Sequence, residues 1–189
     1  MTELFIRGKI LKKDKTAIAV VGSRNITKRG KTLTQKFVKT LVAAGFTIVS
    51  GLARGVDTVA HQTALKSGGR TIAVLGSGLD IIYPPENISL AEEITKHGAL
   101  VSPFINGTRP LPKNFLARNR IITELSQAVL VIEGARRSGT LSTASWAANL
   151  GKDVFAIPGS EATDWLIEQG ALIALAPKDI LETYGLNNS

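Results

Sequence analysis

Between residues 16 and 157 the chain alternates repeatedly between a short, almost unbroken apolar run and a longer amphipathic stretch. The runs are Thr16–Val21, Phe46–Ser50, Thr71–Leu75, Ala99–Ser102, Ala128–Ile132 and Asp153–Ile157, with a weaker one at Ala171–Leu175. Continuous apolarity over so few residues marks strands covered on both faces, since a half-exposed strand would alternate. Helical periodicity fills the gaps at 30–44, 57–67, 88–97, 116–126, 140–150 and 163–169, and again at 178–184. Gly45 and Gly68-Gly69 fall just past helix ends, as left-handed caps do, and Asn114 and Thr163 are the expected N-caps. Strand–helix alternation repeated this often requires parallel strands joined by right-handed crossovers. The fold class is therefore α/β, with a doubly wound, mainly parallel sheet of six to eight strands. No repeat, low-complexity tract or Pro/Gly/Ser linker interrupts it. Residues 16–189 read as one domain, and residues 1–15 as a lead-in segment whose Leu4-Phe5-Ile6 packs on or pairs with the sheet edge.

Composition narrows the function classes. With no cysteine there is no disulfide scaffold, thiolate metal site or cysteine nucleophile. The apolar runs are too short to span a bilayer, and MTELFIRGKILKKDK lacks a signal-peptide core. These features lead to the expectation of a soluble cytoplasmic protein with no membrane partner. Lys plus Arg number 23 against 15 acids, a formal charge of +8. That balance suits a polyanionic partner, but a generally basic surface would show it too, so position has to decide.

Open parallel sheets bind ligands beyond the carboxyl ends of their strands. The first loop there is Gly22-Ser23-Arg24-Asn25, and the second runs from Gly51 through Arg54 to Asp57. The third holds Gly76-Ser77-Gly78. A long fourth loop and the helix after it carry Arg109, Lys113, Phe115, Arg118, Asn119 and Arg120. The fifth carries Glu133, Arg136-Arg137 and Ser138-Gly139-Thr140. Eight of the ten arginines (all but Arg7 and Arg70) lie in or just after these loops, whereas of the 13 lysines only Lys28 and Lys113 do. The guanidinium fork suits phosphate, and glycines beside it let backbone N–H groups approach the same anion. A multi-phosphate ligand is the expectation. The candidate phosphate- or DNA-binding set is Ser23, Arg24, Ser50, Gly51, Arg54, Gly76, Ser77, Lys113, Phe115, Arg118, Asn119, Arg120, Arg136, Ser138, Gly139 and Thr140.

Other chemistries find little support. Gly30-Lys31-Thr32 resembles the end of a phosphate-binding P-loop, but position 25 is Asn where that motif needs glycine. No G-x-G-x-x-G follows the first strand. The two histidines, His61 and His97, lack metal-ligand spacing and read as a packed residue and a helix-terminal charge. The loop serines have no evident general base, although Asp57 and Glu133 are expected to face the cleft. No catalytic constellation, metal or cofactor is expected.

Several segments resemble the DNA-processing protein A (DprA/Smf) family. They are Val20-Val21-Gly22-Ser23-Arg24, Val49 to Asp57 with Ala60-His61, and Gly69 to Asp80. The same holds for Tyr83-Pro84-Pro85-Glu86-Asn87, Phe115 to Ile122, Arg137 to Leu141 and Pro158-Gly159-Ser160. The resemblance runs from about residue 4 to 182. It implies an extended Rossmann-like domain that binds single-stranded DNA largely without regard to sequence. It also implies a homodimer that helps load a RecA-type recombinase in natural transformation. Arg24, Ser50-Gly51, Arg54, Lys113, Phe115, Arg118 and Arg120 would then line the DNA pocket. Phe115 offers either a stacking face or a core contact. Arg118 and Arg120 cannot share a helix face, so one should meet the ligand and the other steady the loop. The loop after Ser160 is shorter than usual, and Asp164 stands where the family has Asn. Two alternatives remain open: a nucleotide-binding enzyme related to nucleoside-monophosphate phosphoribohydrolases, and a nucleotide sensor. The former share the Gly139-Thr140 step but carry an acid where this chain has Thr143.

Overall fold

A computed structural model describes residues 3–136 and 138–186. Eight strands form one sheet: β1 (Phe5–Gly8), β2 (Ala17–Val21), β3 (Thr47–Ser50), β4 (Thr71–Val74), β5 (Ala99–Ser102), β6 (Ala128–Val131), β7 (Asp153–Ala156) and β8 (Leu172–Ile173). Their spatial order is β1-β5-β4-β3-β2-β6-β7-β8. All neighbours are parallel except β1, which pairs antiparallel with β5 in the register Phe5↔Ser102. The apolar lead-in thus becomes an edge strand. Six α-helices connect the strands and a seventh follows β8: α1 (Lys28–Ala43), α2 (Val56–Lys66), α3 (Ile88–His97), α4 (Pro112–Glu124), α5 (Gly139–Asn149), α6 (Glu161–Glu168) and, last, α7 (Pro177–Thr183).

Every residue of β2 to β6 is buried, as continuous apolarity requires. Alternation within each strand divides the side chains between two faces, and in β2 the larger Ile18 and Val20 go to one while Ala17 and Ala19 go to the other. Ile18, Val20, Ile48, Leu130 and Phe155 pack with Phe37, Val38 and Leu41 of α1, Ala60 of α2 and Ile180 of α7. Ala17, Ala19, Val49, Val129 and Ala156 face Ile121 and Ile122 of α4 and Ala144 and Ala147 of α5. Small residues on both partners, Ala17, Ala19 and Ala156 with Ala144 and Ala147, let α5 pack closely on the sheet, while α4 packs through Ile121 and Ile122.

Helix starts depart from expectation in two places. Helix α4 begins at Pro112, whose fixed φ and missing N–H suit a first helical position, and Leu111 occupies the N-cap. Asn114 lies inside the helix, and its Nδ2 donates to Arg109 O over 3.0 Å. Lys113 and Phe115 therefore sit in the first turn. Helix α6 is capped by Ser160, with Thr163 three residues on completing the capping box. Gly45 and Gly68 have the left-handed φ of helix stops, at +90° and +70°.

Two buried polar groups tie the frame. Asp14, 5 % exposed, accepts from Arg70 Nε at 2.8 Å, Leu11 N at 2.7 Å and Thr47 Oγ1 at 2.8 Å. Burial pushes its carboxyl up, but these bonds outweigh burial and hold it below the usual carboxylate range. His61 packs, as expected. Thr71 Oγ1 donates to Ile48 O and so accepts from His61 Nδ1–H at 2.6 Å. Burial first, then the Arg118 charge, push His61 down to about 3 from 6.5. With the folded value below the unfolded one, its contribution to stability is complete above about pH 6.5 and drains away as pH falls toward 3. Urea unfolding below pH 6.5 is expected to lose stability with a slope approaching about 1.4 kcal/mol per pH unit from this group. His61→Gln is expected to flatten that component; an unchanged profile would refute the assignment.

Candidate functional site

Chain order reverses between β2 and β6: after β2 the strands step one way through β3, β4 and β5, then return to β6 on the other side. A cleft of about 590 Å³ opens at the carboxyl ends of these two strands, where the switch-point rule puts a ligand. One wall is Gly22-Ser23-Arg24-Asn25 after β2, and the opposite wall is Ala135 and Ser138-Gly139-Thr140 before and at the start of α5. Tyr83, Pro112, Phe115 and Leu116 close a third side, while Asp57, Arg118, Asn119, Ile122 and Thr143 also line the cleft.

Phe115 is the organising side chain. Its ring centroid lies 5.4 Å from Arg24 Cζ, 5.6 Å from Arg118 Cζ and 5.9 Å from the Tyr83 ring. Guanidinium groups at these distances are attracted by the ring quadrupole. Glycine at position 76 makes room, because a Cβ there would stand 2.6 Å from Phe115 Cδ1. Phe115 thus combines a packing contact on its helix with a place in the cleft wall.

The two arginines touching that ring differ in kind. Arg24 is exposed and among the described residues forms no salt bridge. Arg118 is 4 % exposed, and its Nη1 donates to the carbonyl oxygens of Gly51 and, at 3.0 Å, of Val74. Burial lowers it to about 10, with Asp57 acting the other way, so it stays protonated at neutral pH. Asp57 accepts from the N–H groups of Gly51 at 3.1 Å and Ala53 at 3.3 Å. Burial pushes Asp57 up, against the pull of Arg118 and these N–H groups. The Gly51 residue thus stands between the two charges, its N–H on the anion and its C=O on the cation. A Cβ at Gly51 would collide with the Arg118 guanidinium. The next residue, Leu52, is buried yet holds φ +61°, a conformation a leucine avoids; Asn87 Nδ2 pins its carbonyl at 2.9 Å.

Eight rim arginines do not converge. Arg120 points away, bonded to Glu124 at 2.7 Å and stacked 5.3 Å from the Trp146 ring, as two-residue spacing from Arg118 demands. Of that pair, the buried Arg118 braces the loop ends rather than offering a free fork. Arg29 donates to Pro158 O. Arg54 forks onto Glu86 beside the cleft and is about half exposed. Arg109, Lys113 and Arg136 are exposed but do not line the cleft, and Arg137 falls outside the described residues. Ser50 and Ser77 turn inward, donating to Val20 O and Ile81 O, and Gly76 supports Phe115 from behind. Ser23 closes its own turn against Asn25. Ser138, Gly139, Thr140 and Asn119 meet at α5, with Asn119 Nδ2 donating to Gly139 O at 3.1 Å. Glu133 does not face the cleft: Thr27 N and Oγ1 both donate to its carboxylate at 2.7 Å. Tyr83 and Thr143, which line the cleft, were missed; Tyr83-Pro84-Pro85 was the available signal.

Removing Arg118 leaves the Gly51 and Val74 carbonyls without their donor and Asp57 without the positive charge that offsets its burial. Arg118→Met is expected to cost roughly 3 kcal/mol of unfolding free energy, whereas Arg24→Ala should stay within about 0.5 kcal/mol. Urea titration of both variants checks this, and equal losses would contradict the division between a bracing and a free arginine.

Comparison with known proteins bears on the same site. Residues 2–185 match the family described as DNA recombination-mediator protein A. Protein Smf of Escherichia coli is 46% identical over 97% of this chain and 52% of its own length. The chain spans about half the length of the curated relatives it matches. The crystal structure of DNA processing protein A from Streptococcus pneumoniae superposes with a TM-score of 0.89 at 42% identity, covering 95% of this chain and 65% of that one. DNA processing protein A from Helicobacter pylori, a structure described for its unique single-stranded DNA binding mode, gives 0.88 at 32% identity over 96% and 86%. The chain belongs to the DNA recombination-mediator protein A family.

Proposed function

We propose that this chain binds single-stranded DNA in the switch-point cleft, largely without reading sequence. The observation that carries this is Phe115, a ring with a free cation at its face in a cleft at the strand ends. Stacking platforms beside basic groups are how proteins hold unpaired strands, since every base has a π-face and every linkage a charge. Its Helicobacter pylori relative, described for single-stranded DNA binding, supports the reading. Arg54, Arg109, Lys113 and Arg136, exposed around the cleft, form a basic margin for the strand beyond the stacked base.

The reading is of binding without catalysis. Among the described residues the one carboxylate lining the cleft, Asp57, is bonded to backbone N–H groups, and His61 is sealed in the core. Neither is placed to act as a general base. Loading of a RecA-type recombinase, homodimerisation and a cytoplasmic location belong to the same proposal. On the structural side, no helix among the described residues is long and apolar enough to cross a membrane.

The experiment is titration of labelled oligothymidylate across a salt series. Arg24→Ala is expected to weaken binding and shallow the log–log salt slope by about 0.7, the share of one phosphate contact on a single strand. Phe115→Ala should cost about 1–3 kcal/mol of binding with the slope unchanged. A slope indifferent to Arg24, or duplex bound as tightly as single strand, would overturn the proposal.

A further inference from the structure

The α5 side of the cleft carries polar groups that a stacked base and an arginine-held backbone leave unused. Helix α5 spans Gly139–Asn149, and its N-cap Ser138 makes no side-chain cap. Ser138 Oγ is buried and has no hydrogen-bond partner among the described residues. Thr140, 7 % exposed, and Thr143, 2 % exposed, both line the cleft. Three residues apart, they share one face of α5. Among the described residues, neither hydroxyl has a hydrogen-bond partner. A methyl group built on Gly134 would lie 3.3 Å from Ser138 Oγ and 3.7 Å from Thr140 Oγ1, so both hydroxyls border one space. Asn119, 7 % exposed, spends its Nδ2 on Gly139 O and fixes the helix start.

The buried Ser138 hydroxyl, the two threonine hydroxyls bordering the cleft and a helix start that no side chain caps form a donor set for an anion with several acceptor oxygens. Among the described residues no cation lines this corner; Arg136, three residues before α5, is exposed. Neutral donors and a helix dipole suit a compact phosphate monoester that enters the cleft. A phosphodiester linkage must instead leave it in two directions. The third side of the cleft holds the Phe115 ring, and 590 Å³ falls within the range of small-ligand sites.

We infer that the Ser138–Thr143 corner binds the phosphate monoester of one nucleotide whose base lies on the Phe115 side, supplied by a phosphorylated strand end or by a free nucleoside monophosphate. This inference rests on the reading of the cleft as a nucleic-acid site.

The test uses the whole chain and short oligothymidylates bearing a 5′-phosphate, a 3′-phosphate or hydroxyl ends only. Thymidine monophosphate, thymidine and inorganic phosphate serve as competitors. One phosphorylated end is expected to bind about tenfold tighter than the hydroxyl-ended strand, the effect of one or two charge-assisted hydrogen bonds. Thr140→Val should erase that advantage and Thr140→Ser should keep it, which separates a lost donor from a damaged helix. An end effect without displacement by the monophosphate assigns the corner to strand ends. Displacement by the monophosphate but not by thymidine, without an end effect, assigns it to the free nucleotide. Equal affinity of all three strands with no displacement overturns the inference and leaves strand binding standing. Failure of every strand to bind overturns the function proposed above, while titration with the monophosphate alone still decides this corner.

Discussion

One buried cation holds the carboxyl end of the sheet together. The Arg118 guanidinium reaches from α4 beneath the cleft, joins the carbonyl oxygens of Gly51 after β3 and Val74 in β4, and lies against the Phe115 ring. A charge in that position is costly to desolvate and needs compensation from opposite charge and from acceptors, here met through Nη1 while Nε is buried without a partner among the described residues. Asp57 supplies the charge and Gly51 the spacing. Because the same side chain anchors two strand ends and backs an aromatic ring of the cleft, cleft geometry and fold stability are coupled through one residue. The exposed Arg24, on the same ring, contributes to no such frame and is available to a ligand.

This arrangement gives the basic composition a particular meaning. A charge of +8 distributed over the chain says little about a site. Within the cleft, the groups that matter form a graded series: a free guanidinium on one wall, an aromatic ring beside it, and neutral donors on the far wall. Such a series makes demands on orientation, because a nucleotide has a face, a charge and a sugar edge that must meet different surfaces. A uniformly basic groove would hold polyanions indiscriminately. Specificity for single strands over duplex would then come from access to the base faces, which pairing hides.

The architecture was legible in the sequence because its signal is redundant. Unbroken apolar runs such as Ala128–Ile132 admit few other readings, and each strand so identified constrains its neighbours. Even Leu4-Phe5-Ile6 found its edge. Placement of the cleft followed from topology alone. What escaped was the direction of individual side chains. Arg118 and Arg120 are indistinguishable by residue type and lie in one motif, yet one is buried under the cleft and the other stacks on Trp146. Only the helical phase of α4 against the sheet separates them, and that phase depends on a start at Pro112, four residues before the periodicity suggested. Ser50, Ser77 and Glu133 were misread for a related reason. Loop polar groups have local backbone partners available, and a bond to Val20 O or to Thr27 N is invisible until the turns are built.

Those errors share a direction: polar residues near a cleft were assigned to the ligand when the protein itself required them. Burying the strand ends under α4 and α2 leaves carbonyl and N–H groups that must be satisfied internally. Arg118, Asp57, Ser50, Asn87 and Glu133 are the residues that satisfy or are satisfied by them. Among the described residues that accounting leaves Arg118 Nε and His61 Nε2 buried without partners, and at the cleft it leaves Arg24, the Tyr83–Phe115 rim and the hydroxyls at the start of α5. A site is therefore better located by subtracting internal obligations than by collecting charged loop residues. Here the subtraction leaves a cation, a ring and a group of hydroxyls lining a single cleft.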